Sequence, residues 1–329
     1  MKQITVIGAA NIDISGFSAK PINMADSNPG HIEYFPGGVG RNIAENLLRI
    51  GAAVRLVSVI GDDPFGRLLV SHSREIGLDI SGSKFLSNTD SSVYIALMNN
   101  TGEMALALSD MSVLERLTPG DIEERAALVE DSDAVVLDAG LSPETLRFIP
   151  ERFSGKIIYL DPVSSRKAEK VRCSIGAFHT LKLNRMEASS LSGIELPAPA
   201  VNPVITLGKD ESAVWTGDES LHRGLETAGA HFLRQGSKRV FITLGRAGVY
   251  YRGTDDEFLA PVTPVTPRNT TGGGDAFMAG IVYGTQLGMS SRRIVSFAAA
   301  MGSITIQSKM TVSPEMTIDK VRRICPEEK

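Results

Sequence analysis

Three glycines run directly into a carboxylate at Gly272, Gly273, Gly274 and Asp275, and the apolar stretch from Ala276 to Tyr283 follows at once. Glycines leave backbone N–H groups unshielded by a Cβ, and a helix beginning there turns its positive end toward whatever occupies the loop. Phosphate is the natural occupant. An Asp in that first turn would repel phosphate, so it is better suited to taking a proton from a hydroxyl nucleophile. Read alone, the same residues also describe a glycine turn that caps a helix.

Four further clusters carry polar groups at spacings that chemistry could use. Asn11-Ile-Asp13 follows the strand-like Ile4 to Ile7, where a parallel sheet presents its carboxyl-end loops. Asp13 there can accept from two adjacent sugar hydroxyls, or it can close an Asx turn. Gly37-Gly38-Val39-Gly-Arg-Asn42 is a glycine turn entering an amphipathic helix, and close backbone approach at Gly38 would let Asn42 face a polar ligand. Asn184-Arg-Met-Glu187 sets an amide and a carboxylate on one face of a helical turn. The pair can hold the water shell of Mg²⁺, which takes few protein ligands, or it can be an N-cap with its reciprocal Glu. Thr243-Leu-Gly245-Arg-Ala-Gly248 is a glycine-bordered strand end suited to nucleotide phosphate and ribose, with a plain hairpin as the alternative. The small-residue stretch Ser296 to Ser303 permits close approach by an adenine ring or by another helix.

Such groups need a scaffold that brings many strand ends to one edge. Apolar runs at Ile4 to Ile7, Val54 to Ile60, Ala134 to Leu137, Ile157 to Leu160, Thr180 to Leu183 and Val240 to Leu244 read as buried strands. Helical patterns alternate with them at about 38–50, 64–76, 119–129, 165–172, 185–191, 219–235, 274–286 and 291–308, which implies a mostly parallel sheet covered by helices on both faces. Two segments break the rhythm. Residues 14–35 and 91–108 read as antiparallel strands, with Asn99-Asn-Thr-Gly102 as the clearest turn. They are expected to form a small sheet inserted in a single domain spanning 1–329, acting as a lid and pairing with a second subunit. Residues 205–217 echo residues 242–253, and 196–217 read as an insertion.

The balance of 34 basic against 38 acidic residues, a net charge of −4, argues against a nucleic-acid surface and favours a small-molecule ligand. Cys173 and Cys325 are too few for a disulfide framework, and His31, His72, His179, His222 and His231 lack close metal-ligand spacing. No signal-peptide pattern and no membrane-length apolar window is found, so a cytoplasmic protein without membrane partners is expected. A dinucleotide-dependent oxidoreductase is disfavoured, because Gly8-Ala-Ala-Asn11 does not supply the glycine fingerprint after the first strand.

Taken in order, these clusters resemble the ribokinase-like (PfkB) sugar kinases over almost the whole chain. The two signatures of that family are matched by Gly37-Gly-Val-Gly-Arg-Asn42 and by Asn269-Thr-Thr-Gly-Gly-Gly-Asp275-Ala-Phe-Met-Ala-Gly280, joined by Asn184-x-x-Glu187 and Thr243-Leu-Gly245. The resemblance implies a three-layer α/β/α sandwich with a mostly parallel central sheet and an inserted β lid. It also implies ATP-dependent phosphorylation of a hydroxymethyl group. Asp275 would be the base, Gly272 to Gly274 the anion hole, and Asn184 and Glu187 the Mg²⁺ organisers. Asn11, Asp13, Gly38 and Asn42 would grip the sugar, and Thr243, Gly245 and Gly248 would line the nucleotide. Within the family, Ala25-Asp-Ser-Asn-Pro-Gly30, Ser109-Asp-Met111, Leu141-Ser-Pro-Glu144, Asp161-Pro-Val-Ser164 and Thr311-Val-Ser-Pro314 are similar to pseudouridine kinases. Ribokinase usually has Lys where this chain has Val39, an apolar contact suited to a substrate whose C1 carries a base. Ser27 and Asn28 are then candidates for the uracil edge. A kinase for another nucleoside or a ribose-like sugar is the alternative, and a non-catalytic sugar or nucleotide sensor a further one. The family often has Asp beside a monovalent-cation site where this chain has Asn269, so a K⁺ requirement does not follow, although carbonyls near Ser308 to Ser313 could hold that ion.

Overall fold

The apolar runs are strands because their alternate residues feed two separate cores. The computed structural model describes residues 3–199, 204–207, 213–216 and 219–325. The chain opens with β1 (Gln3–Ile7), β2 (Asn11–Ser18), β3 (Gly30–Gly37), helix α1 (Val39–Arg49), β4 (Ala53–Val57), β5 (Val59–Gly61) and α2 (Pro64–Ile76). It continues through β6 (Lys84–Leu86), β7 (Ser92–Met98), β8 (Met104–Asp110), α3 (Pro119–Glu123), α4 (Ala126–Glu130), β9 (Ala134–Asp138) and α5 (Pro143–Arg152). Next come β10 (Ile157–Asp161), α6 (Ser165–Ala168), β11 (Thr180–Asn184), α7 (Arg185–Ser192), β12 (Val204–Leu207), β13 (Ala213–Thr216) and α8 (Glu219–Gln235). The last third holds β14 (Arg239–Thr243), β15 (Val249–Gly253), β16 (Glu257–Ala260), α9 (Gly273–Gln286), α10 (Ser291–Ile306) and α11 (Ile318–Ile324).

The main sheet has the order β16-β15-β14-β11-β10-β9-β1-β4, parallel from β14 to β4, with β15 and β16 antiparallel at one edge. Ile4, Val6, Val136 and Tyr159 face one core with α1, α9 and α10, while Ile7, Val135, Leu137 and Leu160 face the other with α5 and α8. This is a three-layer α/β/α sandwich. From β1 the chain leaves to β4 on one side and later returns to β9 on the other. At such a switch point the loops diverge beyond the strand ends and leave a crevice.

The segments expected to form a lid make a second sheet, β3-β2-β7-β8. Its two hairpins are antiparallel as expected, but β2 and β7 join them side by side in parallel, which a pair of local turns does not reveal. Other expectations shift for local reasons. Val54 to Ile60 divides into β4 and β5, because β5 leaves the main sheet to pair with β6. The helix expected over 119–129 is two short ones, α3 and α4. The sequence reading passed over α5, which Ser142 caps with Pro143 in its first turn, and α11, which Thr317 caps. The inserted strands β12 and β13 pair antiparallel, as β14 and β15 do, while the rest of the echoed segment lies largely outside the described residues. Among the described residues no helix is long and apolar enough to cross a membrane.

Small residues let α9 and α10 approach closely. A Cβ placed on Gly280 would lie 2.5 Å from Ala298 Cα, so the Ser296 to Ser303 stripe is used for helix packing. Gly280→Val is therefore expected to cost about 1–3 kcal/mol through overpacking. Gly155→Ala, where a Cβ would meet nothing within 4 Å, serves as the control in denaturant titrations; equal losses in the two variants would sink this account of the packing.

Candidate active site

The carboxyl ends of β1, β9, β10 and β11 each deliver polar groups to the crevice. β9 ends in Asp138, wholly buried, whose Oδ2 accepts from Ala9 N at 2.7 Å and Gly40 N at 2.9 Å and whose Oδ1 accepts from Gly140 N at 2.8 Å. A side chain at Gly8 would collide with this carboxylate. Asp138 thus ties the exit of β1 to the start of α1, and burial raises its pKa against the Ala9 and Gly140 donors and the charge of Lys167. Gly38, at φ +97°, turns the chain into α1 with no room for a Cβ against Ala9. That turn places Asn42 one helical turn into α1.

β10 ends in Asp161 and β11 carries Lys182, whose Nζ donates to Asp161 Oδ2 at 2.8 Å in a buried ion pair. Burial by itself would favour loss of the Lys182 proton, but the charges of Asp161, Glu187 and Asp275 outweigh it and hold its pKa above the usual lysine range. The same ammonium lies beside the glycine loop, since a Cβ built on Gly274 would stand 2.9 Å from Nζ. Gly272 is at φ +81° and tight against the Thr311 carbonyl, and it caps α9 without any side-chain hydrogen bond. The first-turn N–H groups of α9 are therefore uncapped next to a buried cation, an arrangement that favours an anion.

Asp275 follows in that first turn, 8% exposed, and accepts from Asn42 Nδ2 at 2.8 Å on Oδ2. Its pKa is pushed up to about 7, first by burial and then by the charge of Asp161, against the pull of Lys182 and the Asn42 amide. A carboxylate poised there can take a proton near neutral pH. Asp13 lies by Gly37, accepts from Asn11 Nδ2 at 2.6 Å, and has its pKa raised by burial. Asn11 and Asp13 open the lid strand β2, so no Asx turn ends β1 there.

Residues 1–318 match the pfkB family of carbohydrate kinases. The pseudouridine kinase of Escherichia coli K12 is 33% identical over 320 residues, covering 97% of this chain and 95% of that protein. The chain belongs to the pfkB family of carbohydrate kinases. A second relative of this pfkB chain, the E. coli sugar kinase YeiI, is 32% identical over 322 residues, covering 98% and 83% of the two chains. A carbohydrate kinase from Agrobacterium tumefaciens superposes with a TM-score of 0.79 at 25% identity over 99% of this chain and 97% of its own. Thermotoga maritima ribokinase shares the fold, with a TM-score of 0.79 at 20% identity over 99% of this chain and 100% of its own.

The pfkB chain gathers Asp275, Gly274, Asn42, Lys182 and Asp161 at the crevice, with Asn11, Asp13, Gly38 and Val39 at the lid root. Asn184 and Glu187 form a capping box, Glu187 N to Asn184 Oδ1 at 2.9 Å and Asn184 N to Glu187 Oε2 at 2.8 Å. Thr243 pairs in register with Asn184 and spends its hydroxyl on the Leu183 carbonyl, while Gly245 and Gly248 shape the hairpin from β14 to β15. Ser27 and Asn28 are not on a lid strand but in the exposed loop before β3. The Asn28 amide is engaged by that loop, accepting from Asn23 N at 2.7 Å and donating to the Asn23 and Asp26 carbonyls at 3.0 Å. Asn269 Nδ2 donates to the Lys309 carbonyl at 3.0 Å, so a neutral amide holds one of the carbonyls considered for K⁺. Sequence reasoning assigned no role to Asp138, Lys182 or Arg41, and met Asp161 only as part of a family-like segment. For Asp138, Asp161 and Lys182 the available signal was a charged residue inside or at the end of a mostly apolar strand, whereas Arg41 lies in α1 and carried no such signal.

An acid whose folded pKa lies above its unfolded value binds more protons when folded, so its contribution to stability falls as pH rises through that window. For Asp275 the window runs from the ordinary 3.8 to about 7. Asp275→Asn is expected to unfold a few degrees above the parent at pH 8 and to lose that advantage near pH 4, as followed by calorimetry. A variant less stable than the parent at pH 8 would contradict the net cost of ionising Asp275.

Proposed function

We propose that this chain transfers the γ-phosphoryl group of ATP to the 5′-hydroxyl of pseudouridine, giving ADP and pseudouridine 5′-phosphate. The observation that carries the kinase reading is the Asp275 carboxylate beside the uncapped glycine start of α9, with the Lys182 ammonium at Gly274. In this reading Asp275 takes the proton from the acceptor hydroxyl, and the oxygen so activated attacks phosphorus in line with the leaving ADP. Backbone N–H groups of Gly272, Gly273 and Gly274 stabilise charge on the transferring group, and Lys182 adds a positive charge that is already desolvated.

The uncapped start of α9 and the Lys182 ammonium suit the phosphates of ATP, and the oxygens of Asn184 and Glu187 suit a hydrated Mg²⁺. Mg²⁺, where bound, would supply positive charge against the charge that develops on the phosphates. Glu187, within electrostatic reach of Lys182, and Asn184 would hold its water shell, and Thr243, Gly245 and Gly248 would border the nucleotide. Asn11, Asp13, Gly38 and Asn42 would bind the ribose. Closure of the lid would exclude water and limit wasteful ATP hydrolysis.

The choice of pseudouridine rests on the likeness to a pseudouridine kinase and on the composition of the lid. Asp13 pairs in register with Phe35 on one side and Tyr94 on the other, so these aromatic residues share its face of the lid. With Val39 at the root they would suit an acceptor that carries a base. We assign base contact to this face, since Asn28 is committed to its own loop. The opposite face bears the rows Ile32-Gly16-Leu97-Leu106 and Tyr34-Ile14-Ile95-Leu108. Ile32, Tyr34, Leu97, Leu106 and Leu108 are exposed there. Such an apolar patch fits a second copy of the lid in a two-fold dimer.

ADP release with Mg-ATP, compared as kcat/KM across pseudouridine, uridine, cytidine, adenosine, ribose and fructose, is expected to favour pseudouridine. Preference for another acceptor would keep the kinase and discard the substrate; binding without ADP from any acceptor would indicate a sensor. Asp275→Asn is expected to lower kcat by roughly 10²–10⁴-fold, the range for loss of general-base catalysis, with acceptor affinity nearly intact. Full activity would remove Asp275 from its role. The pair Leu106→Lys and Leu108→Lys should yield monomers in sedimentation analysis, and an unchanged dimer would place the interface elsewhere.

A further inference from the structure

Arg41 lies one residue before Asn42 and is 2% exposed, yet nothing assigned above uses it. Its Nε donates to the Gly37 carbonyl at 3.0 Å, one terminal nitrogen pairs with Glu45, and the other donates to Asn42 Oδ1. Glu45, also buried, neutralises it one turn along α1 and takes a second guanidinium from Arg49 at 2.7 Å and an edge of His72 at 3.5 Å. Asn42 Oδ1 thus faces a cation, with the Thr311 hydroxyl at 3.5 Å as a further donor, while its NH₂ donates to Asp275 at 2.8 Å.

An amide side chain is nearly symmetric in shape but opposite in charge at its two ends. Turned over, Asn42 would set its oxygen against the Asp275 carboxylate and its NH₂ against the Arg41 guanidinium, two repulsions in a desolvated place. The guanidinium selects the other orientation. We propose that Arg41 is a positioning residue for phosphoryl transfer: by holding the oxygen of Asn42 it keeps the amide NH₂ on one oxygen of Asp275 and leaves the other oxygen to take the acceptor's proton. Glu45 is part of the device, because a buried guanidinium is stable only with a partner. This inference rests on Asp275 being the base.

The ionisable groups around Asp275 besides this chain of contacts are Asp161 from β10, Lys182 from β11 and Asp138 from β9. Arg41 hydrogen-bonds to none of the three. Arg41→Met, assayed with Mg-ATP and the acceptor selected by the panel, is expected to lower kcat at pH 7 on the order of tenfold. KM for both substrates should stay within a few-fold. The acid limb of the kcat–pH profile should move up by roughly one pH unit, because the carboxylate has lost a fixed donor. Arg41→Met combined with Asn42→Ala should behave as Asn42→Ala alone. A loss of packing would lower the melting temperature without moving the limb. A folded Arg41→Met with the parental limb, or losses that multiply in the double variant, overturns the inference. Should Arg41→Met fail to fold, Arg41→Lys keeps the charge for Glu45 but has no second arm for Asn42. It should move the limb in the same direction by less, and an unmoved limb there overturns the inference equally. Asp275→Asn, run alongside, separates two failures. If it retains turnover, the base assignment falls and this inference with it; if it is inactive while both Arg41 variants keep the parental limb, this inference alone falls.

Discussion

The site depends on one buried carboxylate whose task is mechanical. Asp138 ends β9 at the point where the chain has left β1 in both directions, and its two oxygens collect N–H groups from Ala9, Gly40 and its own loop. Three donors on one desolvated acceptor specify a geometry, because a donor that slips loses a hydrogen bond no water can replace. The glycines nearby follow from this tie. Gly8 and Gly140 lack side chains because Asp138 fills the space a Cβ would need, and Gly40 packs against the backbone of Gly8. Through that contact β1, β9 and α1 form a single frame, from which Asn42 projects and in which Asp13 is rooted.

Charge is concentrated on the other side of the frame. Asp161, Lys182 and Asp275 are all buried, and each carboxylate is unfavourable to the other. Lys182 makes the cluster tolerable, and its fixed place beside Gly274 is a by-product of satisfying Asp161. A surface pair would be mobile and screened. Here the same pair supplies orientation, since neither partner has solvent to turn to. The raised pKa of Asp275 has its origin first in burial and then in that crowding: the carboxylate is destabilised in the form in which it would act as a base.

The parallel strands were legible because β1, β9, β10 and β11 are short, mostly apolar runs, and α1, α2, α8, α9 and α10 because their periodicity or caps are strong. The glycine loop before Asp275 was legible because its backbone demands are local: Gly272 takes a positive φ and has no room for a Cβ against the Thr311 carbonyl. Less was visible where a residue's meaning depends on partners distant in sequence. Asn184 and Glu187 satisfy a local capping rule and a metal-site spacing equally well, and the structure shows the cap. Ser27 and Asn28 looked free for a ligand because a loop's internal hydrogen bonds leave little trace in sequence. Arg41 drew no assignment because its contacts run to Glu45 and, through Asn42, to Asp275, 234 positions away by subtraction of their numbers. Lys182 and Asp161 show the one rule that would have helped, a charge inside or at the carboxyl end of a mostly apolar buried strand.

The parallel seam between β2 and β7 has a consequence for how the chain assembles. Asn11 pairs with Ser92, so the middle of the lid joins segments separated by α1, β4, β5, α2 and β6. The hairpins β2–β3 and β7–β8 are local and can close early, but their union must wait for that long intervening loop to be placed, an entropic cost borne by non-local parallel pairings. Completion of the four-stranded sheet therefore waits on the placement of the segment between its hairpins. During synthesis the β2–β3 hairpin emerges with its apolar residues Ile32 and Tyr34 uncovered and its neighbour strand not yet made, a period in which an open edge invites association with other chains.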